Sequence, residues 1–239
     1  MSLATPAFFL RFDEAAGANN ALDSSGNSRD FTQTNSPGSA AGVIGTARTC
    51  RVASAQFFSR ANEAANSVGA GDMTLNFWVK LNSKPTFNDN VLVHKGAYPA
   101  DWEVYYRASD DRLHFDAFKA GPTGFDTAES NAGALTLSTW YMVTLRRSGS
   151  TWSCQVNNGT PTTNTLAGDL ADTGSAFYVG NDNASSLSDA DFNLLGFWQE
   201  SLSGADITTL YNSGAGYDPT AAAPGNPWHY YAQQQAVCG

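Results

Sequence analysis

Charge is scarce in this chain: only 15% of its 239 residues are Asp, Glu, Lys or Arg. Thirteen basic residues face 22 acidic ones, a net charge of −9, which argues against nucleic acid and against an anionic membrane surface as main partners. No apolar run approaches the roughly 20 residues that a membrane-spanning helix needs. Cysteine is sparse too. Cys50, Cys154 and Cys238 are odd in number and far apart, so neither a disulfide framework nor a CxxC metal site is expected. They read as reduced thiols of a protein made in a cytoplasm. The N-terminus has no basic stretch followed by a continuous apolar segment, so a cleaved export signal is not expected. Patterns such as GxSxG, HExxH and the P-loop are missing. The five glutamates (Glu14, Glu63, Glu103, Glu129, Glu200) lie at no strand spacing from another acid on a central strand, and the three histidines show no metal-ligand spacing. These absences point away from an enzyme.

What the chain does have is apolar and turn-forming sequence. Hydrophobic residues make up 42% and aromatics 12%, enough for a sizeable core, and 22 Gly with 9 Pro suit short strands joined by turns. MTLNFWVKL alternates cleanly, with Leu75, Phe77, Val79 and Leu81 on one face and Thr74, Asn76, Trp78 and Lys80 on the other. Further strands are predicted over residues 7–12, 55–60, 90–95, 102–107, 112–118, 139–147, 151–159, 176–180 and 192–199. A hairpin turn is expected at Ser148-Gly149-Ser150, and another at Asp110-Asp111. One short helix follows the last strand, with Ser203 as N-cap, Asp206 three residues on and Gly214 as terminator. The pattern predicts an all-β protein: an antiparallel two-sheet jelly-roll sandwich with one short C-terminal helix and an irregular C-terminal tail. One domain is expected over residues 1–217. Residues 218–239, rich in Pro and aromatics, read as a tail and a candidate assembly anchor.

Several motifs occur in an order that resembles the laminin-G-like, concanavalin A-like jelly rolls. They are FFLRFDEAAG with LDSSGNSRDF, GVIGTARTC, GDMTLNFWVKL, TWYMVTLRR with WSCQVNNG, and FYVGNDN with FNLLGFWQESLSGADITTLYN. The resemblance covers residues 6–217 and implies the fold and a recognition role, since the architecture hosts lectins, adhesion modules and glycanases alike. It also implies a structural Ca²⁺, whose candidate ligands by position are Asp13, the Gly26 region and Asn193. The family usually has Asp where this chain has Asn193, which would weaken such a site. A second oxygen-rich loop, with Asp182, Asp189 and Asp191, is an alternative.

Alternation places Trp78, Glu103, Tyr105, Arg107, His114, Asp116 and Arg146 off the core, with Asn76 and Thr144. Aromatic faces and planar polar groups of this kind suit sugar rings and their hydroxyls. The competing reading has Arg107 and Arg146 pairing with Glu103 and Asp116. The expected function is a non-catalytic, glycan-binding recognition or adhesion module displayed on a virion or other assembly. The expected partners are a glycan or cell-surface polysaccharide and, through the tail, other virion proteins or copies of itself. The expected place is a virion surface, after synthesis in host cytoplasm, or else the extracellular space. A purely structural capsid or fibre component, and a glycan-degrading enzyme, are the alternatives.

Overall fold

A computed structural model describes residues 3–84, 90–96, 101–120, 124–166, 168–180 and 188–221. The tail beyond Ala221 and Asp182 of the second candidate calcium loop lie outside the described residues. In chain order the strands are β1 (Phe8–Leu10), β2 (Thr32–Thr34), β3 (Gly38–Ala41), β4 (Thr46–Cys50), β5 (Phe57–Arg60), β6 (Met73–Leu81), β7 (Asn90–Lys95) and β8 (Trp102–Arg107). Then come β9 (Arg112–Phe118), β10 (Phe125–Glu129), β11 (Trp140–Ser148), β12 (Thr151–Val156), β13 (Thr162–Thr165), β14 (Phe177–Val179), β15 (Ala190–Trp198) and the helix α1 (Gly204–Tyr211).

Two antiparallel sheets face each other. The first runs β13-β12-β11-β6-β15-β4-β3, with β1 also paired to β15; the second runs β10-β9-β8-β7-β14-β5-β2. The opening and closing strands meet directly, Phe8 opposite Phe197 and Leu10 opposite Leu195. Between the sheets lies one aromatic-rich core. Leu75, Phe77 and Val79 of β6 meet Trp102, Val104 and Phe115 of the second sheet in it. The all-β sandwich expected from the sequence is therefore the fold observed.

A second apolar cluster covers the outer face of the first sheet. Ile207 and Leu210 of α1 pack onto Phe9, Trp78, Met142 and Trp198, and burying each aliphatic side chain stabilises by roughly 1.5–3 kcal/mol. The helix begins as expected: the Ser203 hydroxyl accepts from Asp206 N, and the Asp206 carboxylate accepts from Ser203 N. It ends earlier than expected, on Asn212 in a left-handed conformation (φ 46°) rather than at Gly214.

Buried cations staple the loops to the sheets. Arg48, fully buried on β4, donates to the carbonyls of Gly17, Asn19, Pro37 and Gly38 at 3.0–3.1 Å. Lys95, at the end of β7, reaches Asn62 Oδ1 and Ser175 O at 2.6 Å and Asp101 Oδ2 at 3.3 Å. That contact fixes the edge where β7 meets β14, beneath the face described next.

Candidate binding face

Because strand side chains alternate, core-facing Trp102, Val104, Leu113 and Phe115 put their neighbours on the outer face of the second sheet. There the register aligns Tyr178, His94, Glu103, Asp116 and Thr127 in one row across β14, β7, β8, β9 and β10. Tyr105, His114 and Glu129 form the adjacent row.

The rows are built from parallel ring stacks. His94 lies 4.6 Å from Tyr178 with the planes 8° apart, and Tyr105 lies 5.0 Å from His114, also at 8°. Phe57 abuts Tyr178 at 6.0 Å, its ring tilted by 56°. Phe57 and Tyr178 are half-buried, so this end of the stack is open to solvent. His94 Nδ1 donates to Gly96 O at 2.5 Å, and His114 Nε2 donates to Asp110 Oδ2 at 2.8 Å. Arg107 sits over the Tyr105 ring, 5.1 Å from its centroid, and within 3.8 Å of Asp110.

Asp116 accepts from Tyr105 Oη at 3.0 Å and from Thr127 Oγ1 at 2.5 Å. Burial raises its carboxyl above the ordinary value; those two hydrogen bonds oppose the shift without cancelling it. Glu103 stands directly opposite on the neighbouring strand. Among the described residues no single strand carries an acid pair on one face, as the spacing indicates, yet Glu103 and Asp116 come together on this face from two strands. The two residues are distant in sequence, and the β8–β9 hairpin brings them together. Its turn at 108–111 pairs Arg107 with Arg112, and counting back from it pairs 103 with 116.

Not all of the expected face is here. Glu103, Tyr105, Arg107, His114 and Asp116 share it, but Trp78 and Arg146 belong to the outer face of the first sheet. Trp78 is 3% exposed, stacked on Tyr211 of α1 at 5.9 Å and 9°. Arg146 donates to Leu202 O at 2.8 Å, and Asn76 Nδ2 donates to Thr144 Oγ1 at 2.7 Å beside it. Alternation says which side of a strand a residue occupies, not which sheet the strand joins. For the same reason Arg146 does not pair with Glu103 or Asp116. His94, Tyr178, Phe57 and Thr127 join the face only through register, which periodicity within one strand does not carry.

Of the candidate calcium ligands, Asp13 and Asn193 both meet Thr46, and Gly26 lies apart from them. Asn193 Nδ2 donates to Arg11 O (2.7 Å) and Thr46 O (2.9 Å), while its Oδ1 accepts from Val43 N (2.9 Å) and Ile44 N (3.1 Å). All of the amide's capacity is engaged, and the carbonyls a cation would need already hold N–H groups. Gly42 has no side chain because a Cβ there would lie 2.7 Å from Thr46 O and 2.8 Å from Asn193 Oδ1. Asp13 contributes its carbonyl to Thr46 Oγ1 at 2.9 Å. Gly26 sits in a turn that Asn27 ties to Pro6 and Ala7, at the other end of β1 from Arg11. Four extended residues, about 13 Å, separate those ends. In the second loop Asp189 pairs with Arg51 at 2.7 Å, and Asp191 with Lys80 at 2.9 Å. Among the described residues no group of three His, Cys, Asp or Glu could hold a metal ion.

Residues 56–208 match the family described as the Concanavalin A-like lectin/glucanases superfamily. No curated protein matches. Among solved structures, the chain is similar to the binding domain of Paraclostridial Mosquitocidal Protein 1, with a TM-score of 0.67 and 13% identity over 86% of this chain and 52% of that one. It is also similar to the Botulinum Neurotoxin serotype G binding domain (0.68, 10%, 87% and 51%). A third is the Botulinum neurotoxin serotype D ligand binding domain in complex with N-Acetylneuraminic acid (0.66, 12%, 87% and 51%). The chain thus spans about half the length of these structures, and the likeness is one of fold. No helix among the described residues is long and apolar enough to cross a membrane.

Proposed function

As a member of the concanavalin A-like lectin/glucanase superfamily, this chain, we propose, is a non-catalytic recognition module that binds a glycan on the outer face of its second sheet. One observation carries the reading: two parallel aromatic–imidazole stacks flanked by carboxylates that share a single face. His94, Tyr105, His114 and Asp116 are buried and form the packed base of the face, so the half-buried rings of Tyr178 and Phe57 accept the C–H side of a sugar, and Thr127 and the exposed Glu129 exchange hydrogen bonds with its hydroxyls. The solved structure of similar fold that holds N-Acetylneuraminic acid supports a sugar as the ligand class. Display on a virion or other assembly belongs to the same proposal, and immunogold labelling of particles tests it. The central test is a glycan array. Binding that falls at least tenfold in Tyr178→Ala, with an unchanged melting temperature, supports the face; wild-type silence across the array refutes the reading.

One specific observation favours a second reading. Glu103 and Asp116 are cross-strand neighbours, whose Cβ atoms lie roughly 5 Å apart, and the raised Asp116 carboxyl is what a general acid requires. In that reading the module cleaves the glycan it binds. Release of reducing ends from a polysaccharide panel, abolished in Glu103→Gln, decides for it.

A further inference from the structure

The edge strands of the two sheets meet along one flank. Asn164 Nδ2 donates to Thr127 O at 2.7 Å there, and the Thr162 hydroxyl lies within hydrogen-bond reach of Glu129 O and Cys154 O. Beside this seam opens a cavity of about 240 Å³. Cys154 and Val156 of β12, with Ala134 from the segment after β10, give it an apolar lining. Asn131, Thr160 and Thr162 add an uncharged polar rim. The Cys154 thiol is held neutral, because burial pushes it up to about 12.

Size and chemistry together narrow the occupant. The volume falls below the roughly 300–1,000 Å³ of sites for drug-sized ligands, so it suits one small ring. No ionised side chain lines it, so a charged ligand would lose its water without gaining a counter-charge. The apolar lining receives a C–H face, and the rim offers amide and hydroxyl groups. Ser130 Oγ already accepts from Leu113 N and donates to Asn131 O, so the exposed Asn131 amide and Thr160 hydroxyl are the groups left to a ligand.

We propose that this flank cavity is a second binding site, for a single uncharged, hydroxyl-rich ring such as a neutral monosaccharide unit. None of its lining residues belongs to the second-sheet face, so either site can fail without the other. The test is an NMR titration of the ¹⁵N-labelled chain with glucose, galactose and N-acetylglucosamine, with glucuronate as the charged comparator. Expected are saturable shifts at the amides of residues 130–134 and 156–162 with at least one neutral sugar, and affinity for glucuronate at least tenfold weaker. The shifts vanish in Ala134→Phe and in Thr160→Phe, the latter at an exposed position that tests occupancy without touching the core, and persist in Tyr178→Ala. No saturable shift with any neutral sugar, equal response to glucuronate, or shifts that survive both filled variants would overturn the site.

Discussion

Asn193→Asp is the substitution that reports most directly on how the two ends of the chain are joined. The side chain keeps its shape, but the amide N–H groups that hold Arg11 O at 2.7 Å and Thr46 O at 2.9 Å become a carboxylate oxygen facing both. Both sites are part-buried and Arg11 O keeps Leu194 N at 3.3 Å, so each lost bond costs about 0.5–1.5 kcal/mol and the change destabilises by roughly 1–3 kcal/mol before any repulsion is counted. In a chain of this size about 1 kcal/mol moves the melting temperature by roughly 2–4 °C, so the variant should melt roughly 2–12 °C below wild type in the presence of a chelator. The same change supplies a carboxylate beside two backbone carbonyls, the oxygen set a hard cation accepts. Calcium at about 100 times its dissociation constant should then return roughly 2.7 kcal/mol. Wild type should melt at one temperature with calcium or with chelator. Differential scanning fluorimetry reads all four conditions. Two results would refute the reasoning: a variant that melts with wild type under chelation, or a wild type that calcium stabilises and Asn193→Ala does not.

Arg48→Met keeps the aliphatic stem but removes a donor from four carbonyls, of which Pro37 O keeps Gly17 N; at about 0.5–1.5 kcal/mol per bond lost, roughly 2–6 kcal/mol in all, chemical denaturation should show a lowered midpoint at unchanged slope. Asp116 carries a pH signature. Its carboxyl is raised in the fold above the ordinary 3.8, so its contribution to stability is fullest below that value and is lost as pH rises through the folded value. Asp116→Asn should remove that slope, so wild type loses stability relative to the variant between the carboxylate range and neutrality; parallel pH profiles would contradict the burial. Trp78→Ala should lower the melting temperature strongly, since it empties the space under α1, while leaving affinity of the folded fraction for any glycan unchanged.

The sandwich was legible because its central strands carry their own signature. β6 alternates over all nine residues, Met73 to Leu81, and its predicted and observed limits coincide. β7, β8 and β9 agree as well. The strands missed by sequence, β2, β3, β4, β10 and β13, are short or polar. β4 reads TARTC, and its burial rests on a guanidinium that satisfies four carbonyls, which no hydrophobic pattern reports. For the face, five of seven residues were found by alternation alone. Trp78 and Arg146 went to the wrong layer because β6 and β11 pair with each other and with β15, a long-range choice. The Glu103–Asp116 pair was readable in principle, since a turn at Asp110-Asp111 sets the hairpin register; strand spacing within one segment was the wrong place to look for it.

The pairing of β1 with β15 has a mechanical side. The chain enters at the Ala7 end of β1, beside Phe197, and leaves through Asp218, which grips Arg11 at the other end with a 2.6 Å ion pair. Tension between entry and exit would therefore pull β1 lengthwise along β15, loading its perpendicular hydrogen bonds together in shear instead of unzipping them singly. A module anchored at one end and tugged at the other would resist through all of that seam's bonds at once.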